Sequence, residues 1–377
     1  ESTRAPTTLV LKGSLVEGNH EVGVVLLGSN ATIEASVIRG TLPSAAAIWG
    51  SGIVASSHLG SLAPSTVVVR GSVIEDNQWL GVQVLGSSLE VDASVVRRTR
   101  PQALDDMFGD GILIQPDDYM QPSSLALRGS LVAENHRVGV LVLDSSVEVD
   151  TTVVRDTLPQ PSTQAGGRGI NVYSTRGARV KRSLLEANQE ISMQLLGSDI
   201  VVESTVVRGT LPNPDNTFGW ALVVRNGLEG DPPSSATIRG SVFEQHQAFA
   251  IGIVGSDVTL TGVLARDVAP TIDDRFGDAL SIWTESLPTR LFMDGSLFEQ
   301  TPRAGISNFG AFVSVASTSL RCHGFEIEGE PFTPYETTFQ FTFEDRGHNA
   351  CGCPTASAEC VAVSAGLEPP MLAETLP

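Results

Sequence analysis

Lysine is nearly absent. Lys12 and Lys181 are the only two among 24 basic residues, against 43 Asp and Glu, for a formal charge of −19. Such a chain lacks the basic face that nucleic acid requires. An anionic membrane surface would repel it. No apolar run approaches the ~18 residues of a membrane-spanning helix, so no transmembrane segment is expected. The run from Glu1 is polar and carries no leader, as expected of a mature or trimmed chain. Cysteine is missing before Cys322. Gly-x-Ser-x-Gly, P-loop, His-Glu-x-x-His and Rossmann glycine patterns are all absent, so none of those chemistries is signalled. What the chain does have is 41% apolar residues, 37 Gly and 21 Pro over 377 positions. That is enough to bury a core, with many turns.

Six segments repeat, starting at Gly13, Gly71, Gly129, Arg182, Gly240 and Gly295, so the starts lie 58, 58, 53, 58 and 55 residues apart. Each unit reads as two smaller turns, TVVVRGSVIEDN aligning with SLEVDASVVRRT. The first turn takes about 22 residues, and the second about 30 to 36 because it carries an insertion after Thr-Leu-Pro. Val, Ile and Thr dominate the short runs, Gly and Asn the breaks, and no 3.6 period survives. The expected fold is all-β, a right-handed parallel β-helix of about 12 coils over residues 1–321. Stacking at about 4.8 Å per coil would make a single rod of roughly 55–60 Å. Residues 322–377 are expected to form a C-terminal cap and tail.

Columns recur in this register. A small hydroxyl stands at Ser14, Ser36, Ser72, Ser94, Ser130, Thr152 and onward, with Val263 the exception. Asn19, Asn77, Asn135 and Asn188, then His246, share a turn position, where stacked side chains would satisfy one another and the backbone. Lys12, Arg70, Arg128, Lys181 and Arg239 alternate with Glu34, Asp92, Asp150 and Glu203. Five residues on, the signs reverse: Glu17, Glu75, Glu186, Glu244 and Glu299 alternate with Arg39, Arg97, Arg155, Arg208, Arg266 and Arg321. Alternation avoids like-charge stacking and penalises a slip of one coil. The Arg columns therefore read as ladders and not as a polyanion groove.

The insertions end on an aromatic, Gly, any residue, a small residue and an aliphatic, as in Phe108-Gly109-Asp110-Gly111-Ile112 and Phe276-Gly277-Asp278-Ala279-Leu280. The aromatic is expected to fold back as a plug. Two insertions cluster carboxylates: Asp105, Asp106 and Asp110, then Asp273, Asp274 and Asp278. Three hard oxygens in a Gly-containing loop suit Ca²⁺, the one cofactor the sequence suggests. His20 and His136 read as turn residues.

With Val24 and Leu26 inward, an outward row runs Val25, Val54, Gln83, Leu113, Leu141, Asn171, Gln194, Val223, Gly252, Ser281, Ser307, without a charge. Tyr173, Arg225 and Trp283 flank it. An uncharged strip implies a cover: the insertions, a partner or a glycan. Leu113, Leu141, Tyr173, Arg225 and Trp283 are the binding candidates.

Cys322, Cys351, Cys353 and Cys360 read as two disulfides of a cap. Three connectivities exist, with Cys351–Cys353 the least favourable. The rival is zinc on these cysteines with His323 or His348. Phe339, Phe341 and Phe343, at period two, suit a strand covering the open end. At the other end, residues 1–7 offer little to seal the first coil, which points to self-association or a partner there.

The coils resemble the right-handed parallel β-helix superfamily of pectate lyases and polygalacturonases. The phrases SLVEGNHEVGV and SNATIEASVIRGTLP, with Gly167-Arg168-Gly169-Ile170, resemble repeats of secreted or surface β-helix proteins of myxobacteria, over residues 8 to about 321. The pectinase branch implies glycan cleavage. This sequence lacks the hydrolases' Gly-His-Gly and a lyase Arg or Lys beside stacked Ca²⁺ carboxylates, and fold alone does not transfer function. The expectation is a non-catalytic extracellular or cell-surface β-helix, adhesin-like, binding a glycan or partner protein or self-associating. The alternative is a secreted polysaccharide lyase or glycoside hydrolase.

Overall fold

In a computed structural model, residues 7–227 and 232–370 are described. Residues 1–6, most of the segment expected to leave the first coil unsealed, lie outside them. All regular structure among the described residues is β, and the strands fall into three sheets of 13, 14 and 12, parallel except for the last strand of the second, Ala356–Ala358, which pairs antiparallel with Ala350–Cys353. The chain divides into two compact units, Glu1–Met193 and Gln194–Pro377. Each is built of the same coil, and the fold is a right-handed parallel β-helix.

In the first unit, strands Thr8–Lys12, Leu15–Glu17 and Val22–Leu27 make one coil. Asn30–Glu34, Val37–Arg39 and Ser51–Ser56 make the next. Pairing is parallel and in register, Thr8 opposite Asn30 and Asn30 opposite Thr66. The strands are short because tight corners interrupt them. β-Branched residues alternate inward and bury completely, as at Val67, Val69, Val91 and Ile33, giving each coil an apolar interior.

Side-chain ladders satisfy the corners. The N–H groups of Ser14, Ser36, Ser72 and Ser94 each donate to the hydroxyl one coil on, at 3.1 Å. A second hydroxyl ladder, unforeseen, links Ser29, Ser65, Ser87, Ser123 and Ser145 at 3.0–3.1 Å. The Asn column works differently from the expectation. Second-coil threonines separate the asparagines: Thr41 N–H donates to Asn77 Oδ1 at 3.1 Å, and Asn77 Nδ2 donates to the Ile38 carbonyl at 3.3 Å. Thr99 and Asn135 repeat this at 3.0 and 3.2 Å. Asn thus completes buried backbone bonds that water cannot reach. His246 Nε2 takes over the donor's part, 3.1 Å from the Val207 carbonyl.

The charge columns stack as expected. Glu34 lies between Lys12 and Arg70, and Glu75 between Arg39 and Arg97. Arg39 meets Glu17 at 2.8 Å, Arg97 meets Glu75 at 2.8 Å, and Arg266 meets Glu244 at 2.7 Å. Some partners lie diagonally: Arg70 reaches Glu90 at 2.8 Å instead of the facing Asp92.

In the second unit, parallel pairing carries past Arg321. Phe325–Glu330, Thr342–Asp345 and Ala350–Cys353 form a further coil on their predecessors. The disulfides are Cys322–Cys353 and Cys351–Cys360, and no free cysteine remains for zinc. His323 instead joins the corner ladder: its Nδ1 accepts from Thr301 N–H at 3.2 Å, and its Nε2 donates to the Phe298 carbonyl at 3.1 Å. Phe341 lies against Gly329, and Phe339 against Gly310, closing this end.

Candidate functional site

The third sheet turns two positions outward per short strand because its pairing skips one residue. Val22 faces Ser51 and Val24 faces Ile53, leaving Gly23 and Gly52 unpaired. A Cβ on Gly52 would stand 2.6 Å from the Gly81 carbonyl oxygen and 2.9 Å from Ile74. Glycine is required there, and the kink sends both the residue before it and the second residue after it outward.

In the first unit this outer face closes on itself. Leu113 and Leu141, each 7% exposed, pack with Leu80 and Val138, and Trp79, Leu143 and Tyr173 lie against them. Asn171 Nδ2 donates to the Tyr173 hydroxyl at 3.3 Å. Val25 and Leu27 remain open to solvent. Three of the five binding candidates are therefore brought together, as a packed cluster. The other two, Arg225 and Trp283, meet Glu285 in the second unit, at 3.4 Å and, through Trp283 Nε1, 3.2 Å. Trp283 is buried.

The acidic insertions divide their carboxylates. Asp110 is fully buried at an outward position, and Arg137 grips both its oxygens, Nε to Oδ1 at 2.8 Å. The same guanidinium lies 4.7 Å from the Phe108 ring centroid, and Phe108 packs edge-on against Trp79 at 6.2 Å. Asp278 and Arg303 repeat the pair, with Arg303 4.9 Å from the Phe276 ring. The ion pairs pin the Phe108 and Phe276 plugs, which fold back as expected, whereas Trp49 at the equivalent position stays exposed. Burial pushes the Asp110 carboxyl above its ordinary range, against the pull of Arg137. Asp105 instead accepts from Gln102 and the Met107 N–H. Asp106, Asp273 and Asp274 lie exposed on the loops, and Asp273 accepts from the Thr271 hydroxyl. Among the described residues no three His, Cys, Asp or Glu side chains are gathered to hold a metal.

A second polar group surrounds Asp278. Ser307 donates to its Oδ2 at 2.6 Å, and Ser307 faces Glu328 on the next strand. Glu328 is fully buried, with neither carboxylate oxygen hydrogen-bonded. Burial, reinforced by Glu330, pushes its carboxyl up to about 8. The cover here is the chain itself: Val363 pairs with Glu328, and Arg303 Nη1 donates to the Glu368 carbonyl at 3.0 Å.

An open concavity in the first unit lies on the first sheet. Thr66, Ser88, Ser124 and Ser146 form one row in register, and Val68, Glu90, Ala126, Glu148 and Arg179 the next. Small side chains leave a trough between the taller ion pairs Arg70–Glu90 (2.8 Å) and Arg128–Glu148 (3.2 Å). Sequence reasoning missed it, although a hydroxyl opening each of TVVVR, SLEVD, SLALR and SVEVD was the available signal.

No family model matches the sequence, and no curated protein matches it. Solved structures do. Pectate lyase Pel9A matches at 9% identity and TM-score 0.38, over 80% of this chain and 73% of that one. The catalytic unit of a thermostable GH87 α-1,3-glucanase from Streptomyces thermodiastaticus strain HF3-3 matches at 12% and 0.44, over 92% and 64%. PfbA, a surface adhesin of Streptococcus pneumoniae, matches at 10% and 0.37, over 88% and 92%. This chain thus spans less than two thirds of the glucanase unit's length. At such identities the likeness concerns fold and carries nothing about activity.

Proposed function

We propose that this chain is a non-catalytic binding module of an extracellular or cell-surface protein, taking an elongated glycan along the first-sheet trough of the first unit. The carrying observation is the row Thr66–Ser88–Ser124–Ser146, one hydroxyl per coil beside Glu90, Glu148 and Arg179. Donors and acceptors repeating at about 4.8 Å suit a polyhydroxyl chain. The trough floor carries no aromatic anchor of the kind that dominates protein–protein contacts. The insertion carboxylates Asp110 and Asp278 are engaged in ion pairs that hold structure. Two disulfides suit an oxidising compartment.

The test is titration calorimetry against neutral and acidic polysaccharides, with reducing ends and unsaturated products assayed in parallel. Binding without product, lost in Ser124→Tyr, supports the proposal. Turnover of any polysaccharide would establish the lyase or hydrolase alternative. Binding unchanged by Ser124→Tyr would remove the trough from it.

A further inference from the structure

The C-terminal segment 361–370 lies against the last strand of the third sheet. Gly329 N–H donates to the Val363 carbonyl at 3.0 Å, and Val363 N–H to that of Ile327 at 3.1 Å. Ser364 Oγ and Gly366 N–H both donate to Glu330 Oε1, at 2.8 and 2.5 Å. With the Arg303–Glu368 contact, these bonds fasten the segment over Glu328.

Glu328 is badly placed for a charge. Its oxygens are buried and unpaired, a state far costlier for a carboxylate than for a neutral carboxyl. The groups around it make ionisation harder. Glu330 follows on the same strand, and Asp278 lies across Ser307. Arg303, the one cation acting on it among the described residues, already holds both Asp278 oxygens and the Glu368 carbonyl. Glu326 turns away to the His323 corner, 3.8 Å from Nε2. Residues 361–370 carry one titratable side chain, Glu368, and their Leu367 N–H eases the carboxylate only slightly, without making a hydrogen bond to it.

We propose that residues 361–370 are a releasable strap, latched while Glu328 is protonated and let go as it ionises, uncovering the Asp278–Ser307–Glu328 row. Without the strap, water reaches the carboxyl and its ordinary acidity returns. Docking therefore takes up a proton. It is strongest below pH ~4.5, weakens by up to about tenfold per pH unit above that, and levels off once the docked form itself ionises, at about 8. The device stands apart from the first-sheet trough and does not depend on it.

The experiment is amide hydrogen exchange on the whole chain at pH 5 and pH 8, expressed as protection factors corrected for intrinsic rates. Protection at Gly329 and Val363 should fall at least about 100-fold between the two, while Ile306 stays unchanged. Glu328→Gln should keep the strap protected at pH 8. Equal protection in the wild type at both pH values would overturn the proposal, and so would a Glu328→Gln variant that loses protection as the wild type does. Should that variant fail to fold, a ¹³C titration of the wild-type Glu328 carboxyl decides. Titration in step with strap release supports the latch, and an ordinary titration near 4.5 overturns it.

Discussion

Arg137→Met perturbs the ion pair that pins the first acidic insertion. The substitution keeps an apolar stem and removes the guanidinium that holds both oxygens of the fully buried Asp110. Asp110 then retains only the Val138 N–H. Breaking such a pair from one side costs about 3–5 kcal/mol. Losing the contact with Phe108, 4.7 Å from the ring centroid, adds about 0.5–1 kcal/mol. The pair itself is worth far less than this. Adding Asp110→Leu should bring the double variant within about 1–2 kcal/mol of the wild type, because no buried charge remains. The pH dependence has a definite sign. Burial already holds the Asp110 carboxyl above its unfolded value, and without the guanidinium it rises further. Stability from a raised carboxyl is present below the unfolded value, about 3.9, and is lost as pH climbs through the folded one. The deficit of Arg137→Met must therefore shrink as pH falls from 7 towards 4. Urea denaturation at several pH values measures it. A cost below about 1 kcal/mol at pH 7, or a deficit independent of pH, would refute the reasoning.

Four further outcomes are expected. His246, buried where other coils place Asn, is held neutral by burial with its value lowered to about 3. Its contribution is complete above the unfolded value near 6.5 and is lost as pH falls towards 3, so His246→Asn should flatten the acid limb of a thermal-stability profile. Gly81→Ala would put a Cβ 2.5 Å from the Gly111 carbonyl oxygen and should cost about 2–3 kcal/mol in denaturant, whereas Gly71→Ala, with open space but φ +53°, should cost about 1 kcal/mol. Glu75→Gln, whose side chain is 11% exposed between Arg97 and Arg98, should cost about 1–2 kcal/mol by denaturation, against about 0.5 for the exposed Glu17→Gln. Reducing Cys322–Cys353 and Cys351–Cys360 should strip hydrogen-exchange protection from residues 290–353 first, while residues 8–190 keep theirs; uniform loss would contradict this.

Much of the architecture was legible in the residues alone. The coil lengths, the Ser/Thr column and the alternating Glu and Arg columns follow from the repeat, because parallel in-register stacking sets each residue beside its own repeat equivalent. The pairing of Glu34 with Lys12 and Arg70 needed no coordinates, and neither did the disulfide character of the last four cysteines. The Asn column was found, though its partners were not. The alternating threonines belong to the other coil type, and their backbone N–H groups leave no mark in a side-chain pattern.

The state of the outer faces was decided only in three dimensions. Asp110 and Asp105 look alike in the sequence, yet one is buried on Arg137 and the other caps its own loop. The outward row Gly252, Ser281 and Ser307 implies a cover from its lack of charge without saying which, and it is fully buried. Phe249 lies over Gly252, and the strap is tied at Arg303 by a residue 65 positions away. Repeat reasoning fixes which residues point outward, since that depends on local alternation. It does not fix what lies on them, since insertions and the C-terminal segment follow no period and meet the sheet only once the chain has folded.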